Sequence, residues 1–590
     1  MKRAGRRVVA VAIAAFALAA PAAHARDAIV NSFDGEPIVT HFFPAPGLEP
    51  GATAPTILVG HGWGGSGATG PPGQYAAAGY NVVTWDARGF GGSGGTVMID
   101  HPEFEGRDAQ ALIDFVAAQP EAELDAPGDP RVGMDGPSYG GGVQFITAAR
   151  DDRVDAITPT IAWNSLVTSL FKEDSVKAGW GLALAGLGVP TSLLPGVFSP
   201  AGVQLGHQSP QFYSLVTNGL ATGRFLPQDV AWLTEHGPGP NDLLDEIEAP
   251  TLIAQGTVDT LFTLDEAHRN FTTLKENGVP VKMLWFCGGH GVCLTESDSP
   301  NPIAAIAGDT GRVRQRKLAW FARHLQGDSS ADVGPEFEWI DEAGEWHASD
   351  AYPPAGAGEL RGSRSGTIPL IPGELPGSGI LLFATESLLG GLTVPIEAPP
   401  DGAAVVGSPQ LDLTYSATGA SLAADGKTHV FAQLIDRGRT NPLLPVTNLV
   451  VNNLATPIKI ELDGRTHQVS VPLERIASEP TAAGYELQLV GQTSLYDLQR
   501  AVGVVNVQRA EVSVPLSVPV IGGQPPAPAP ATGAGGAAGG DGKGTASKQR
   551  KCKRAKKKKA GRGAAAAGKK KKTRKRSCKP KKRKRKRNRR

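Results

Sequence analysis

The stretch Arg131-Val132-Gly133-Met134-Asp135-Gly136-Pro137-Ser138-Tyr139-Gly140-Gly141-Gly142 decides the fold. A short strand pattern, Arg131–Met134, runs into Gly136-x-Ser138-x-Gly140, and a helical pattern of small residues, Gly140–Arg150, follows. The glycines have a steric meaning. A serine on a sharp strand-to-helix turn leaves no room for neighbouring side chains, so G-x-S-x-G in this setting reads as a nucleophile elbow. A second match, Gly91-Gly92-Ser93-Gly94-Gly95, has no such helix after it and reads as loop structure.

On both sides of the elbow, strand-like and helix-like segments alternate from Asp27 to about Gly327. Apolar runs rich in β-branched residues recur at Ile38–Phe43, Thr56–Val59, Asn81–Trp85, Arg131–Met134, Ala156–Ile161, Thr251–Ala254 and Val281–Phe286. Between them lie helical patterns such as Phe104–Ala118, with Leu112, Ile113, Phe115 and Val116 on one face. Buried runs separated by helices predict an α/β fold, a mostly parallel sheet covered on both faces. The interval of about 164–249 breaks the alternation. It has no strand pattern but many aromatics (Phe171, Trp180, Phe198, Phe212, Tyr213, Phe225, Trp232), which predicts a helical cap over the site whose aromatics mostly hold the cap together. From 336 to 516 short alternating segments punctuated by Gly, Pro and Asp predict an all-β jelly roll. Residues 522–547 form a Pro/Gly/Ala linker, and 548–590 are a Lys/Arg tract that cannot form a core.

The charge is divided in the same way. Of the 59 Lys and Arg, 28 lie from Lys543 onward, with no acidic residue after Asp541. An acidic body near −26 is therefore joined to a strongly basic tail. At the other end, Lys2, Arg3, Arg6 and Arg7 precede the apolar run Val8–Ala20 and the small-x-small site Ala23-His24-Ala25. Residues 1–25 thus read as an export signal, too short in its apolar part to span a bilayer that needs about 20 residues. The expected location is secreted or in the cell envelope.

A serine nucleophile needs a base, and the base an orienting acid, in the chain order Ser, acid, His, each after a strand. After Thr251–Ala254 comes Gly256-Thr257-Val258-Asp259; after Val281–Phe286 comes Cys287-Gly288-Gly289-His290-Gly291-Val292-Cys293. Ser138, Asp259 and His290 are the expected catalytic residues, whereas His268 and His324 fall within helical patterns. Cys287 and Cys293 bracket His290 and are expected to form a disulfide that pins it, with a stabilisation of roughly 2 kcal/mol for so small a ring. No cysteine spacing suggests a metal site. The oxyanion donors are expected to be the backbone N–H groups of Tyr139, just after the nucleophile, and of Trp63, in the loop after Thr56–Val59.

Trp85-Asp86-Ala87-Arg88-Gly89-Phe90-Gly91-Gly92-Ser93-Gly94, the elbow and the Asp259/His290 pair together resemble the X-prolyl dipeptidyl peptidase and cocaine-esterase family. So does the order hydrolase domain, helical cap, jelly roll. The resemblance implies an α/β-hydrolase without a cofactor that cleaves X-Pro peptides, or esters and amides. The substrate would be a small peptide or ester. Members similar to cocaine esterase donate to the oxyanion with a tyrosine from the early loop; here that loop reads His61-Gly62-Trp63-Gly64, so a backbone donor must serve. Dipeptidyl peptidases also need cap carboxylates for the substrate's free amine, and Glu173 and Asp174 are present in the cap. Two other readings stand beside dipeptide release: a carboxylesterase, and a surface polyanion-binding protein with an inactive hydrolase domain. The tail carries no aromatic residue for base stacking, which leaves anionic envelope polymers or a membrane surface as its expected partner rather than a specific nucleic acid.

Overall fold

The computed structural model describes residues 25–68, 70, 72–193, 207–296, 308, 310–373, 382–388, 390–423 and 426–518. The expected export signal through His24, the linker, the basic tail and Phe198 lie outside them.

Ten strands form one sheet: β1 Arg26–Asn31, β2 Pro37–Phe43, β3 Thr56–Val59, β4 Asn81–Trp85, β5 Val132–Pro137, β6 Val154–Thr160, β7 Thr251–Gly256, β8 Val281–Phe286, β9 Phe337–Ile340 and β10 Trp346–Ser349. Their spatial order is β1-β2-β4-β3-β5-β6-β7-β8-β9-β10. Neighbours from β4 to β9 are parallel, and β1, β2 and β10 add antiparallel edges. Successive strand residues face opposite sides, and the sequence supplies apolar side chains to both. Ile57, Val82 and Leu252 pack with Tyr75, Trp320 and Phe321 on one side. Leu58, Val83 and Ile253 belong to the other core, with Leu112, Ile146 and Phe271. The chain reverses its direction of travel across the sheet at β3, so the carboxyl end of β5 lies at the switch point where such sheets bind ligands.

The cap follows β6. Its helices are Leu166–Leu170, Ala178–Leu193, Pro210–Thr222 and Pro227–Glu235. Local signals set these boundaries. The Ser209 hydroxyl accepts from the Phe212 N–H, Pro210 occupies the first turn, and Gly223 ends the helix at φ 67°. The one departure from an all-helical insertion among the described residues is a two-residue strand, His207–Gln208, parallel to Thr96–Val97.

The C-terminal domain is a jelly-roll-like sandwich of antiparallel sheets. Gly356–Leu370, Ala501–Ser517, Gln410–Ser421 and Asp463–Pro472 form one; Leu392–Pro395, Tyr485–Val490, Lys427–Thr440 and Asn448–Val450 form the other, with Thr456–Glu461 also on Lys427–Thr440. Along Gln410–Ser421, Leu411, Leu413, Tyr415 and Ala417 alternate into its core. The expected boundary at 336 is corrected here. The hairpin β9–β10 pairs with β8 and extends the hydrolase sheet, and the sandwich begins at Gly356. A short alternating strand reads the same whichever sheet it joins, so its sequence could not assign it. Among the described residues no helix is long and apolar enough to cross a membrane.

Candidate active site

Ser138 lies between β5 and the helix Tyr139–Ala148, with φ 57° and ψ −115°. This strained backbone is held on both sides: the Ser138 N–H donates to the Thr160 carbonyl at 2.9 Å, and its own carbonyl accepts from Gly141 and Gly142 at 2.8 and 2.9 Å. The steric reading of the glycines holds. A Cβ on Gly140 would stand 2.3 Å from the Gly60 carbonyl oxygen, and one on Gly136 2.5 Å from the same atom. Ser93 is fully buried, its hydroxyl donating to the Asp86 carbonyl at 2.7 Å and accepting from the Val39 N–H at 2.9 Å, as a loop-structuring residue would.

Three loops from three strands meet at the elbow. His290 Nε2 lies 2.8 Å from Ser138 Oγ, and His290 Nδ1 lies 2.8 Å from Asp259 Oδ2. Asp259 is fully buried, and its Oδ1 accepts from the Leu261 and Phe262 N–H groups at 3.0 and 2.8 Å. These bonds satisfy the carboxylate and fix its rotamer. Trp180 and Phe262 stand edge-on to the imidazole, with centroids at 5.8 and 4.9 Å. Cys287 and Cys293 form a disulfide, Cα–Cα 5.4 Å, that closes the loop carrying His290. In this arrangement a hydroxyl proton can pass to an imidazole held in one orientation by a carboxylate. His268 and His324 sit in the helices Leu264–Glu276 and Gly311–His324.

The early loop is tied down from two sides. The half-buried His61 bonds to the Gly62 carbonyl through Nδ1 at 2.7 Å and accepts from the Ala87 N–H through Nε2 at 2.9 Å; desolvation lowers its pKa. The Trp63 indole N–H donates to the Leu184 carbonyl of the cap at 2.9 Å, and its ring packs against Phe90, Tyr139 and Phe212. Tyr139 opens its helix, where a backbone N–H has no intrahelical acceptor. Its hydroxyl donates to Glu105 at 3.1 Å, a carboxyl that burial pushes up to about 7. Arg88 is buried in a bidentate pair with Asp108 and a further contact to Asp34. The Arg88-Gly89 segment therefore supports the site without entering it.

Ser138, Tyr139 and Trp63 line one cavity, open to solvent and roofed by the cap. Its described walls are almost wholly apolar; Phe212, Leu215, Phe225 and Phe262 are among them, and Lys177 is the one charged residue among the described lining residues. Two of the cap aromatics expected to be packing residues, Phe212 and Phe225, thus face the cavity, while Trp232 packs on His236 as expected. Glu173 and Asp174 do not line it. The Glu173 carbonyl accepts from His429 at 2.7 Å, and Asp174 pairs with Lys459, so both join the cap to the sandwich. Away from this site, Asp341, His347 and Glu479 offer ligand atoms within 4.8 Å of one another. His347 and Asp341 already hydrogen-bond to each other at 2.7 Å.

Residues 38–291, ending just beyond His290, match the X-Pro dipeptidyl-peptidase (S15) family. The match covers the hydrolase domain, less than half of the chain. The whole architecture recurs in solved structures. A CocE/NonD family hydrolase from Staphylococcus aureus is 13% identical with a TM-score of 0.56, covering 83% of this chain and 93% of that one. An α-amino acid ester hydrolase is 14% identical with a TM-score of 0.56, over 86% and 100% of the two chains. An aminopeptidase from a marine sediment Thaumarchaeota archaeon is 13% identical with a TM-score of 0.52, over 84% and 96%. At such identities the likeness is one of fold. No curated protein matches the sequence.

Proposed function

We propose that this S15-family hydrolase is an exported serine esterase acting on esters of apolar carboxylic acids. The observation that carries the reading is the Ser138–His290–Asp259 relay, with both contacts at 2.8 Å, in the wall of an apolar cavity. Ser138 Oγ attacks the acyl carbon as its proton passes to His290 Nε2, and the carbonyl π pair moves onto oxygen. That oxyanion accepts from the N–H groups of Tyr139 and Trp63, each donor worth roughly 3–4 kcal/mol in a site of this kind. Collapse breaks the bond to the leaving group, which takes the proton from His290. Water then attacks the acyl carbon as His290 takes its proton; the Ser138 Oγ–acyl bond breaks, Oγ regains the proton from His290, and the acid leaves. Asp259 keeps Nδ1 protonated and Nε2 aimed at the serine.

The choice of an ester over an X-Pro peptide is supported by what lines the cavity. No Asp or Glu is among the described lining residues, and the Asp174 carboxylate pairs with Lys459 of the sandwich while the Glu173 backbone carbonyl accepts from His429. Hydrolysis of a p-nitrophenyl alkanoate with no release from an alanyl-prolyl p-nitroanilide is the expected pattern, and the reverse would restore dipeptide release.

Labelling with a fluorophosphonate probe tests the nucleophile. Wild type and Ser93→Ala are expected to label and Ser138→Ala to stay unlabelled. Labelling retained in Ser138→Ala would remove the assignment. A folded wild type that resists the probe would favour the polyanion-binding reading with an inactive hydrolase domain.

For the tail we propose electrostatic tethering to anionic envelope polymers, since its 28 positive charges have no acidic residue among them. Retention on isolated envelopes is expected to collapse between 0.1 and 1 M salt, as the Debye length falls from about 10 to about 3 Å. Retention that ignores salt would rule the tether out.

A further inference from the structure

Lys177 is the one charged residue among the described walls of the cavity above Ser138. Lys177 is 1% exposed. Its Nζ donates to the carbonyls of Thr260 and Leu261, at 2.8 and 3.2 Å, which offsets part of the cost of burying it. Both carbonyls belong to the loop that begins at Asp259, so the ammonium is fixed relative to the relay. Carboxylates near it are committed elsewhere: Glu474 to Lys172 at 2.7 Å and to the Thr263 hydroxyl, Asp259 to His290. Among the described residues Lys177 itself makes no ion pair; besides the two carbonyls, the Tyr496 ring lies 5.9 Å from Nζ.

A positive charge that makes no direct ion pair among the described residues, on a side chain of the wall of a low-dielectric cavity, acts over the length of a bound acyl group. A second cation in that cavity would meet repulsion from Lys177 and find no carboxylate among its described walls to offset its desolvation. We propose that Lys177 determines the acyl specificity of this site, excluding acyl groups that carry an ammonium and admitting apolar ones that carry none. The inference rests on Ser138 as the nucleophile and deepens that reading. The substrate class becomes esters of unsubstituted or N-acylated apolar acids, and α-amino acid esters and peptides with a free amino terminus next to the scissile bond fall outside it.

Three methyl esters of similar size test this in the full-length protein, by pH-stat at about pH 6, where an α-amine is protonated. They are those of 3-phenylpropanoic acid, N-acetylphenylalanine and phenylalanine. For wild type, kcat/KM on the phenylalanine ester is expected to fall about 30-fold below the other two, the size of a like-charge contact across several ångströms at intermediate dielectric. Lys177→Met should shrink that gap to about 3-fold, and Lys177→Arg should keep it. Lys177→Met also removes two hydrogen bonds from the Asp259 loop, so all its rates can fall together; the ratio between substrates is the readout, which a structural role alone would not move. Equal rates in wild type, or an unchanged ratio in Lys177→Met, would overturn the role of Lys177 while leaving the nucleophile intact. Absence of Ser138-dependent hydrolysis of all three esters would instead overturn the nucleophile, and this proposal with it.

Discussion

Ser138→Ala and His290→Ala are each expected to lower kcat on an apolar ester by a factor of about 10⁶, and the double variant to lose no more than either alone. The reason is the geometry of the proton. Ser138 Oγ and His290 Nε2 share one hydrogen bond at 2.8 Å, and neither residue can deliver the nucleophile without the other. Asp259→Asn should cost less, about 10⁴, because it removes the charge and inverts the tautomer preference without deleting the base. What remains is the work of the two backbone donors and of substrate binding, so KM should change little in all four variants. Steady-state rates on a p-nitrophenyl ester decide this, with circular dichroism to show that each variant is folded. Losses that add in the double variant would mean that the two residues act independently. A His290→Ala variant within 100-fold of wild type would mean that another base serves Ser138.

The parts of this site that were legible in the sequence are those fixed by local backbone chemistry. Ser138 could be placed because a strained strand-to-helix turn demands glycine at 136 and 140, a demand written in consecutive residues. Asp259 and His290 could be placed because each follows a buried apolar run, and parallel strands carry their functional loops at the carboxyl ends. The alternation that predicts the sheet is a property of each segment taken alone. The cavity is of another kind. Phe212 lies in the helix Pro210–Thr222 and Phe225 in the loop that follows it, segments that read identically whether their aromatics meet each other or enclose space. Lys177 looked like any lysine at a helix start; its burial is set by Thr260 and Leu261, more than eighty residues away. Likewise, Glu173 and Asp174 were plausible amine ligands by position in the cap. It took the packing of the sandwich, through His429 and Lys459, to show that they face the seam. Charge and aromatic content announce that a cap has a function, but which face they serve is decided by tertiary contacts.

The same distinction predicts opposite outcomes for one substitution made at two places. Gly140→Ala is expected to destabilise the protein by about 3 kcal/mol and to abolish hydrolysis, because the new methyl would sit 2.3 Å from the Gly60 carbonyl oxygen and 2.6 Å from its carbon. Neither atom can move away cheaply. The Gly60 N–H donates to the Asp135 carbonyl at 2.9 Å, which laces the end of β3 to β5, and a Cβ on Gly60 would in turn meet the Gly140 Cα at 2.9 Å. Relief must come from the elbow itself, which carries Ser138 away from His290. Gly186→Ala, in the exposed middle of the cap helix Ala178–Leu193, meets nothing within 4 Å. There alanine's better helix propensity is expected to stabilise by up to about 1 kcal/mol with activity retained. Urea midpoints at equal m-value, read beside ester turnover, separate the two cases. A Gly140→Ala variant as stable as wild type would mean that the approach of β3 to the elbow is looser than the structure has it. Loss of stability with full activity would mean that Ser138 does not depend on the turn that holds it.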